Sequence, residues 1–265
     1  MRPVAIVTGG TSGIGLAAAR ALCSRNVAVY CLSRHPVELE GIAHLVADVS
    51  DEEQVARAVE DVLRREGRID ILINNAGYGI SGAAEMTDSA EARKLMDVNL
   101  FGMVNAARAV LPIMRKQGSG RIVFTSSVAA VLPIPFQAWY SVSKAAINAY
   151  SLALQNEVRF MGITTCAVMP GDIRTGFTAA RQKSHVGDAV YQGRIARSVS
   201  KMEKDEVKGM APETAGKFLA HIALKKRVKP YYAIGLEYKF FVMLSRLLPC
   251  GLIGRLLGML YSGNP

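Results

Sequence analysis

Residues 4–15 read VAIVTGGTSGIG. An apolar, β-branched run of five residues meets a turn with glycines at Gly9, Gly10, Gly13 and Gly15, and an apolar helical pattern follows over 13–25. Such a strand, glycine turn and helix predicts a phosphate-binding βα unit. Glycines allow the tight turn and the close approach of backbone to a pyrophosphate, and the helix N-terminus offers unpaired N–H groups and the positive end of its dipole. The spacing is GxxxGxG rather than the commoner GxGxxG. Gly9, Thr11, Ser12, Gly13, Ile14 and Gly15 are therefore the first candidate cofactor contacts.

Outward from this unit, apolar runs and helical patterns keep alternating. Strands are predicted over 27–32, 43–47, 69–74, 121–126, 163–169 and 228–234. Helices are predicted over 51–66, 88–116, 139–160 and 212–224, with Asp51 as an N-cap. Near-continuous apolar strands separated by helices imply a parallel sheet covered on both faces. The expected fold is α/β, a single-domain doubly wound (Rossmann-like) parallel sheet, over 1–235. Residues 178–210 are polar and weakly patterned, and are expected to form a flexible segment beside the substrate. An apolar C-terminal helical extension is expected over 236–265.

In an NAD-binding enzyme the end of the second strand carries an acid for the ribose hydroxyls. Here the chain reads YCLSRHP over 30–36, and no acid appears before Glu38. Arg34, with its planar fork, suits a 2′-phosphate instead, beside Ser33. NADP(H) is the expected cofactor.

Tyr140 and Lys144 stand at i, i+4 in YSVSK, on one face of the expected helix 139–160. A nearby cation favours phenolate and so lowers the tyrosine pKa. Such a tyrosine can give a proton to a nascent alkoxide or take one from an alcohol. Ser127 follows the strand ending RIVFTS, where ligands sit in open α/β sheets, and its hydroxyl can bond a substrate oxygen.

The glycine turn, NNAG (74–77), Asn99 in DVNLFG, Ser127, YSVSK and Pro170-Gly171 occur in this order over about residues 3–178. Together they resemble the short-chain dehydrogenase/reductases. The resemblance implies hydride transfer between a nicotinamide and a carbonyl or hydroxyl carbon. It makes Tyr140 the acid/base, Lys144 the residue that tunes it and holds the nicotinamide ribose, Ser127 the carbonyl-orienting group, and Asn99 the anchor of a water leading to Lys144. It places Asp48 and Val49 near the adenine, Asn75, Ala76 and Gly77 near the adenosine ribose, and Pro170, Gly171, Ile173 and Thr175 around the nicotinamide. Many NADP-dependent members carry a basic residue in the glycine turn. This chain has only Thr11 and Ser12 there, so the preference rests on Arg34.

Residues 78–86, 128–138 and 176–210 should border the substrate. The stretch VAAVLPIPFQA (128–138) is almost wholly apolar, which suits a steroid or a lipid-chain ketone or alcohol. YGISG (78–82) and PGDIRTGFT (170–178) also resemble hydroxysteroid dehydrogenase-like members. A 3-ketoacyl thioester reductase and a non-catalytic NADP(H)-sensing protein are the alternatives, and the intact Asn99, Ser127, Tyr140 and Lys144 set argues against the second.

The net charge of +10 is uneven. Residues 1–179 hold 17 basic and 16 acidic side chains, whereas residues 180–265 hold 15 and 6. Residues 240–261 read FFVMLSRLLPCGLIGRLLGMLY. Two arginines and a central Pro-Cys-Gly argue against one spanning helix. Two short apolar helices are expected, and three roles stay open for them: closing the site, forming a homo-oligomer interface, or lying on a membrane as a peripheral contact through 236–265. No aromatic-interleaved basic stripe is present, so nucleic acid is not an expected partner. Scattered cysteines predict free thiols in a reducing compartment. The histidines lack ligand spacing, so no metal is expected. A strand begins at residue 4 with no secretory pattern before it, so the expected location is cytoplasmic, with surface membrane association left open.

Overall fold

The computed structural model describes residues 2–263. Its frame is a seven-stranded sheet in which each neighbouring pair runs parallel. In chain order the strands are β1 (Val4–Thr8), β2 (Ala28–Ser33), β3 (Ala43–Val46), β4 (Ile71–Asn74), β6 (Gly120–Thr125), β7 (Ile163–Met169) and β9 (Tyr231–Ala233). The order across the sheet is β3-β2-β1-β4-β6-β7-β9. It reverses between β1 and β4, and ligands sit beyond the strand C-termini at such a switch point. Two short strands, β5 (Ile80–Ser81) and β8 (Gln182–Lys183), form a separate parallel pair.

The strand pattern explains the layers, because successive side chains point to opposite faces. Val4 and Ile6 face one core, which holds buried side chains of α2 (Glu52–Glu66), α4 (Gly102–Gln117) and α5 (Ala138–Val158). Ala5 and Val7 face the other, which holds α1 (Gly13–Cys23) and α8 (Pro212–Leu224). Both faces are dry, so the strands read as continuous apolar runs. Asp51 caps α2 as expected, its carboxylate accepting from Gln54 N at 3.0 Å.

The predicted helix 88–116 forms as one helical run, α3 (Ser89–Met96) and α4 being continuous through a π-turn over Asp97–Phe101. The wider turn places Asn99, fully buried, against the loop after β4. One expectation is corrected, that of a weakly patterned flexible segment over 178–210. After α6 (Phe177–Ala180) and β8, residues Arg194–Lys208 form a full amphipathic helix, α7. Ile195, Val199 and Met202 are buried in a small cluster with Ala83. Ser198 and Glu206 are also inward and find partners at Pro135 O, Thr178 and Arg181.

The extension forms two helices, α9 (Leu236–Leu247) and α10 (Cys250–Ser262), broken at Pro249. Tyr238 anchors α9 and Tyr261 packs α10 against the α7 cluster, where Arg197 Nη1 donates to Ser262 O at 3.0 Å. All four cysteines are free.

Candidate active site

The glycine turn is shaped by contact. Gly9 has φ +63° and Gly13 φ +52°, which glycine adopts without strain. A Cβ on Gly15 would stand 2.2 Å from the Gly9 carbonyl oxygen, so the first helical turn lies directly on the strand end. Asn75 ties the next strand to this turn. Its N–H donates to Thr8 Oγ1 at 2.9 Å, and its Nδ2 donates to the carbonyls of Thr8 and Gly9, each at 3.3 Å. Ser12 makes no side-chain cap, so the first-turn N–H groups of α1 have no partner from it. A cradle in which Gly9, Gly10 and Gly15 leave no room for a Cβ, facing an uncapped helix end, fits a dinucleotide pyrophosphate.

One cavity of about 1250 Å³ runs along the C-terminal ends of the strands. All expected site residues line it except Gly15 and Asn99. At one end are Gly9, Thr11, Ser12, Gly13 and Ile14, then Ser33 and Arg34 after β2, and Asp48 and Val49 after β3. Asn75, Ala76 and Gly77 form its floor, and Ser127, Tyr140 and Lys144 stand midway. Pro170, Gly171, Ile173 and Thr175 close the far side after β7. Gly15 lies behind the turn. Asn99 lies behind Gly77, where a Cβ would meet Asn99 Oδ1 at 2.9 Å and Lys144 Nζ at 3.6 Å. Asn99 accepts from Tyr78 N and donates to Tyr78 O, both at 2.9 Å, which pins the floor next to Lys144.

Arg34 is exposed on the rim and makes no ion pair among the described residues. Ser33 is occupied: its hydroxyl donates to His35 O at 3.0 Å and lies 2.8 Å from His44 Nε2. Asp48 accepts from the backbone and the hydroxyl of Ser50, at 2.9 and 2.7 Å.

Tyr140 and Lys144 are both buried. Lys144 Nζ donates to Thr125 O at 2.9 Å and lies 5.6 Å from the Tyr140 ring centre. Burial pushes the Tyr140 phenol up to about 12, against a hydrogen bond with Ser127 that pulls it down. Burial also lowers Lys144 to about 8. The expected lowering of the phenol by Lys144 is not seen: Ser127 and Arg181 are the groups that pull it down, and burial outweighs them. A protonated phenol beside a lysine that titrates near neutral pH is arranged to give a proton and to regain it.

Around the reacting position, Phe177 and Asp172 fall in the stretch PGDIRTGFT, whereas Arg181, Glu206 and Tyr238 carry no sequence motif. Phe177 packs on Tyr140 with ring centres 5.6 Å apart, and the Arg181 guanidinium lies 5.5 Å from the Phe177 ring. Arg181 is buried and ion-paired with Glu206. From α9, the Tyr238 hydroxyl donates to Asp172 Oδ2 at 2.7 Å and accepts from Asp172 N at 3.0 Å. The Tyr238 ring sits so close that a Cβ on Gly171 would fall 2.2 Å from it. Only the apolar periodicity of 194–208 and 236–247 hinted at these partners.

Beyond Tyr140 many of the lining side chains are apolar. They are Val128, Leu132 and Ile134, then Phe241 and Leu244 of α9, Leu248 just after it, and Ile253 and Leu257 of α10, with Lys201, Asp205 and Glu206 of α7 and Glu237 of α9 also on the wall. The segments 128–138 and 176–210 border it as expected, whereas from 78–86 only Tyr78 does. The C-terminal helices thus form one wall of the cavity.

Comparison with known proteins agrees with this geometry. The short chain dehydrogenase family model matches residues 3–185. A 3-ketodihydrosphingosine reductase of Bacteroides thetaiotaomicron is 41% identical over 230 residues, covering 85% of this chain and 86% of its own. A probable short-chain type dehydrogenase/reductase of Helicobacter pylori is 29% identical over 252 residues, 93% of each chain. Among solved structures, a short-chain dehydrogenase from Streptomyces avermitilis superposes with a TM-score of 0.84 at 28% identity, over 98% of this chain and 96% of that one.

Proposed function

Because the chain belongs to the short-chain dehydrogenases, we propose that it is an NADP(H)-dependent reductase of long-chain, lipid-like ketones, with Tyr140 as its general acid. The observation that carries this reading is the single cavity. It joins the glycine cradle to Ser127, Tyr140 and Lys144, and continues from them along apolar side chains of α9 and α10, with the charged side chains of Lys201, Asp205, Glu206 and Glu237 also on its wall. A nicotinamide cofactor, when bound, supplies the hydride.

The chain's own groups do the rest. Ser127 and Tyr140 present hydroxyls on the same stretch of cavity wall, where a carbonyl oxygen can accept from both. Tyr140 is protonated at neutral pH, since burial holds it well above its ordinary value, and so it is in the acid form that reduction needs. Its proton passes to the substrate oxygen, and the phenolate left behind faces Lys144. Lys144, lowered to about 8, can return a proton and is held in place by Thr125 O. Thr11 to Ile14 would hold the pyrophosphate, Asp48 and Val49 the adenine, and Arg34 a 2′-phosphate. Arg34 has no acidic partner of its own among the described residues, which leaves both prongs of its fork for that anion.

The similarity to a 3-ketodihydrosphingosine reductase supports a ketone on a long alkyl chain. So does the mostly apolar wall past Leu132 and Ile134. The test is kcat/KM with NADPH for 3-keto compounds of graded chain length, beside steroid ketones and short ketoacyl thioesters. Each methylene that enters apolar surroundings contributes about 0.8 kcal/mol, so kcat/KM should climb steeply with chain length. A flat profile, or a preference for the steroids or short thioesters, contradicts this substrate class.

A further inference from the structure

The two C-terminal helices have more apolar surface than the cavity uses. On α9 the side chains fall into three stripes. Tyr238, Val242 and Ser245 turn inward. Phe241 and Leu244, with Leu248 just after the helix, border the cavity. The third stripe is Leu236, Phe240, Met243 and Leu247, at 84%, 53%, 51% and 71% exposure, and it touches neither the core nor the cavity. Its spacings of four, three and four residues place it along one side of the helix. On α10, Leu252 and Met259 are likewise exposed, while Leu256 and Leu260 are exposed and also line the cavity. The apolar face and the cavity wall therefore meet at Leu256 and Leu260.

Charge on these two helices is mostly basic. Lys239, Arg246 and Arg255 are exposed and form no ion pair among the described residues, against one exposed acid, Glu237. Residues 180–265 hold 15 basic side chains against 6 acidic ones. No helix among the described residues is long and apolar enough to cross a membrane. Two short helices, each with its own exposed apolar stripe and with cations beside it, match elements that lie in the plane of a lipid interface, their large apolar side chains between acyl chains and their cations at the headgroups.

We propose that the α9–α10 pair docks on the surface of an anionic phospholipid bilayer, with Leu236, Phe240, Met243 and Leu247 of α9 and Leu252 and Met259 of α10 inserted. The basic excess selects a lipid surface over a second copy of this chain, whose own matching face carries the same positive charge. Docking also places the edge of the cavity, at Leu256 and Leu260, against the bilayer.

The test is co-sedimentation of the full chain with vesicles of phosphatidylcholine alone and of phosphatidylcholine with phosphatidylglycerol, beside the variant Phe240→Ser/Met243→Ser/Leu247→Ser. These three side chains are outside the cavity, so thermal unfolding of the variant should match the wild type. The wild type is expected to bind both vesicles, more tightly when phosphatidylglycerol is present and less tightly as salt rises. The variant should lose about 100-fold in partitioning. A wild type that stays in the supernatant with both vesicles overturns the proposal. So does a chain that dimerises through this face, seen as a dimer that the triple variant dissociates and that vesicles fail to bind. The readout is binding and not turnover, so its failure would leave the reductase reading standing.

Discussion

Lys144 Nζ lies 5.6 Å from the centre of the Tyr140 ring and donates to the Thr125 carbonyl oxygen at 2.9 Å. Burial shifts the two groups in opposite directions, Lys144 from 10.5 to about 8 and Tyr140 from 10.0 to about 12. Between about pH 8 and 10.5 the unfolded chain binds a proton at Lys144 that the folded chain has lost, so stability should rise with pH there. The Tyr140 phenol acts with the other sign. Its stabilisation is complete below pH 10 and is lost as pH climbs toward 12. The stability of the wild type should therefore climb above pH 8 and turn over above pH 10. Lys144→Met removes the buried charge but leaves Thr125 O unpaired. The net expectation is a gain of about 2 kcal/mol at pH 7 and a flattened rise above pH 8. Urea unfolding of both proteins from pH 6 to pH 11 checks it, and a variant less stable than the wild type at pH 7 would contradict it.

Arg34 is the one basic residue that follows the second strand directly. A charge-assisted hydrogen bond contributes roughly 1.5–3 kcal/mol. Arg34→Ala should raise the Kd for NADPH by about 10- to 100-fold and leave that for NADH nearly unchanged. Fluorescence titration of each nucleotide reads this. An equal loss for both would move the cofactor preference elsewhere in the cradle.

Gly15 allows the glycine turn to close. Its Cβ would stand 2.2 Å from Gly9 O and 2.5 Å from Asn75 Nδ2, and the first of these is backbone that cannot swing aside. Gly15→Ala should cost about 1–3 kcal/mol of stability and weaken nucleotide binding more than it slows turnover at saturating cofactor. Thermal melts with and without NADPH test this. An unchanged melt would mean that α1 can slide outward without cost.

Arg181 is fully buried and paired with Glu206, itself only 12% exposed. Removing one partner of such a pair typically costs about 3–5 kcal/mol, while replacing both with apolar side chains is often neutral. Glu206→Gln should therefore unfold at much lower denaturant than the wild type, and Arg181→Met/Glu206→Leu should recover most of the loss. A double variant as unstable as the single one would show that Glu206 is needed for its bond to Thr178 rather than for Arg181.

The sheet was legible because its strands are continuous apolar runs buried on both sides, and β7 falls on the predicted 163–169. The glycine turn, Tyr140, Lys144 and Ser127 were legible because they fall in short local motifs that the fold then places along one cavity. The helix over 88–116 was legible too, but not the π-turn at Asp97–Phe101 within it, since that changes the hydrogen bonding without changing the apolar pattern. Helix α7 had a readable signal, Ile195, Val199 and Met202 at spacings of four and three. Polar residues obscured it, because Ser198 and Glu206 are buried against partners distant in sequence. Tyr238 was hidden for the same reason: nothing local shows that a residue of the extension will lie on Gly171 and bond Asp172.

The most direct test of the account is single-turnover oxidation of NADPH with a long-chain 3-keto substrate, by the wild type and by Tyr140→Phe. The account predicts that the wild type turns over and that Tyr140→Phe binds NADPH as tightly but reacts at least about 10²–10⁴-fold more slowly. Equal rates for the two proteins would contradict Tyr140 as the proton donor, and the absence of turnover by the wild type on every long-chain ketone would contradict the proposed reaction itself.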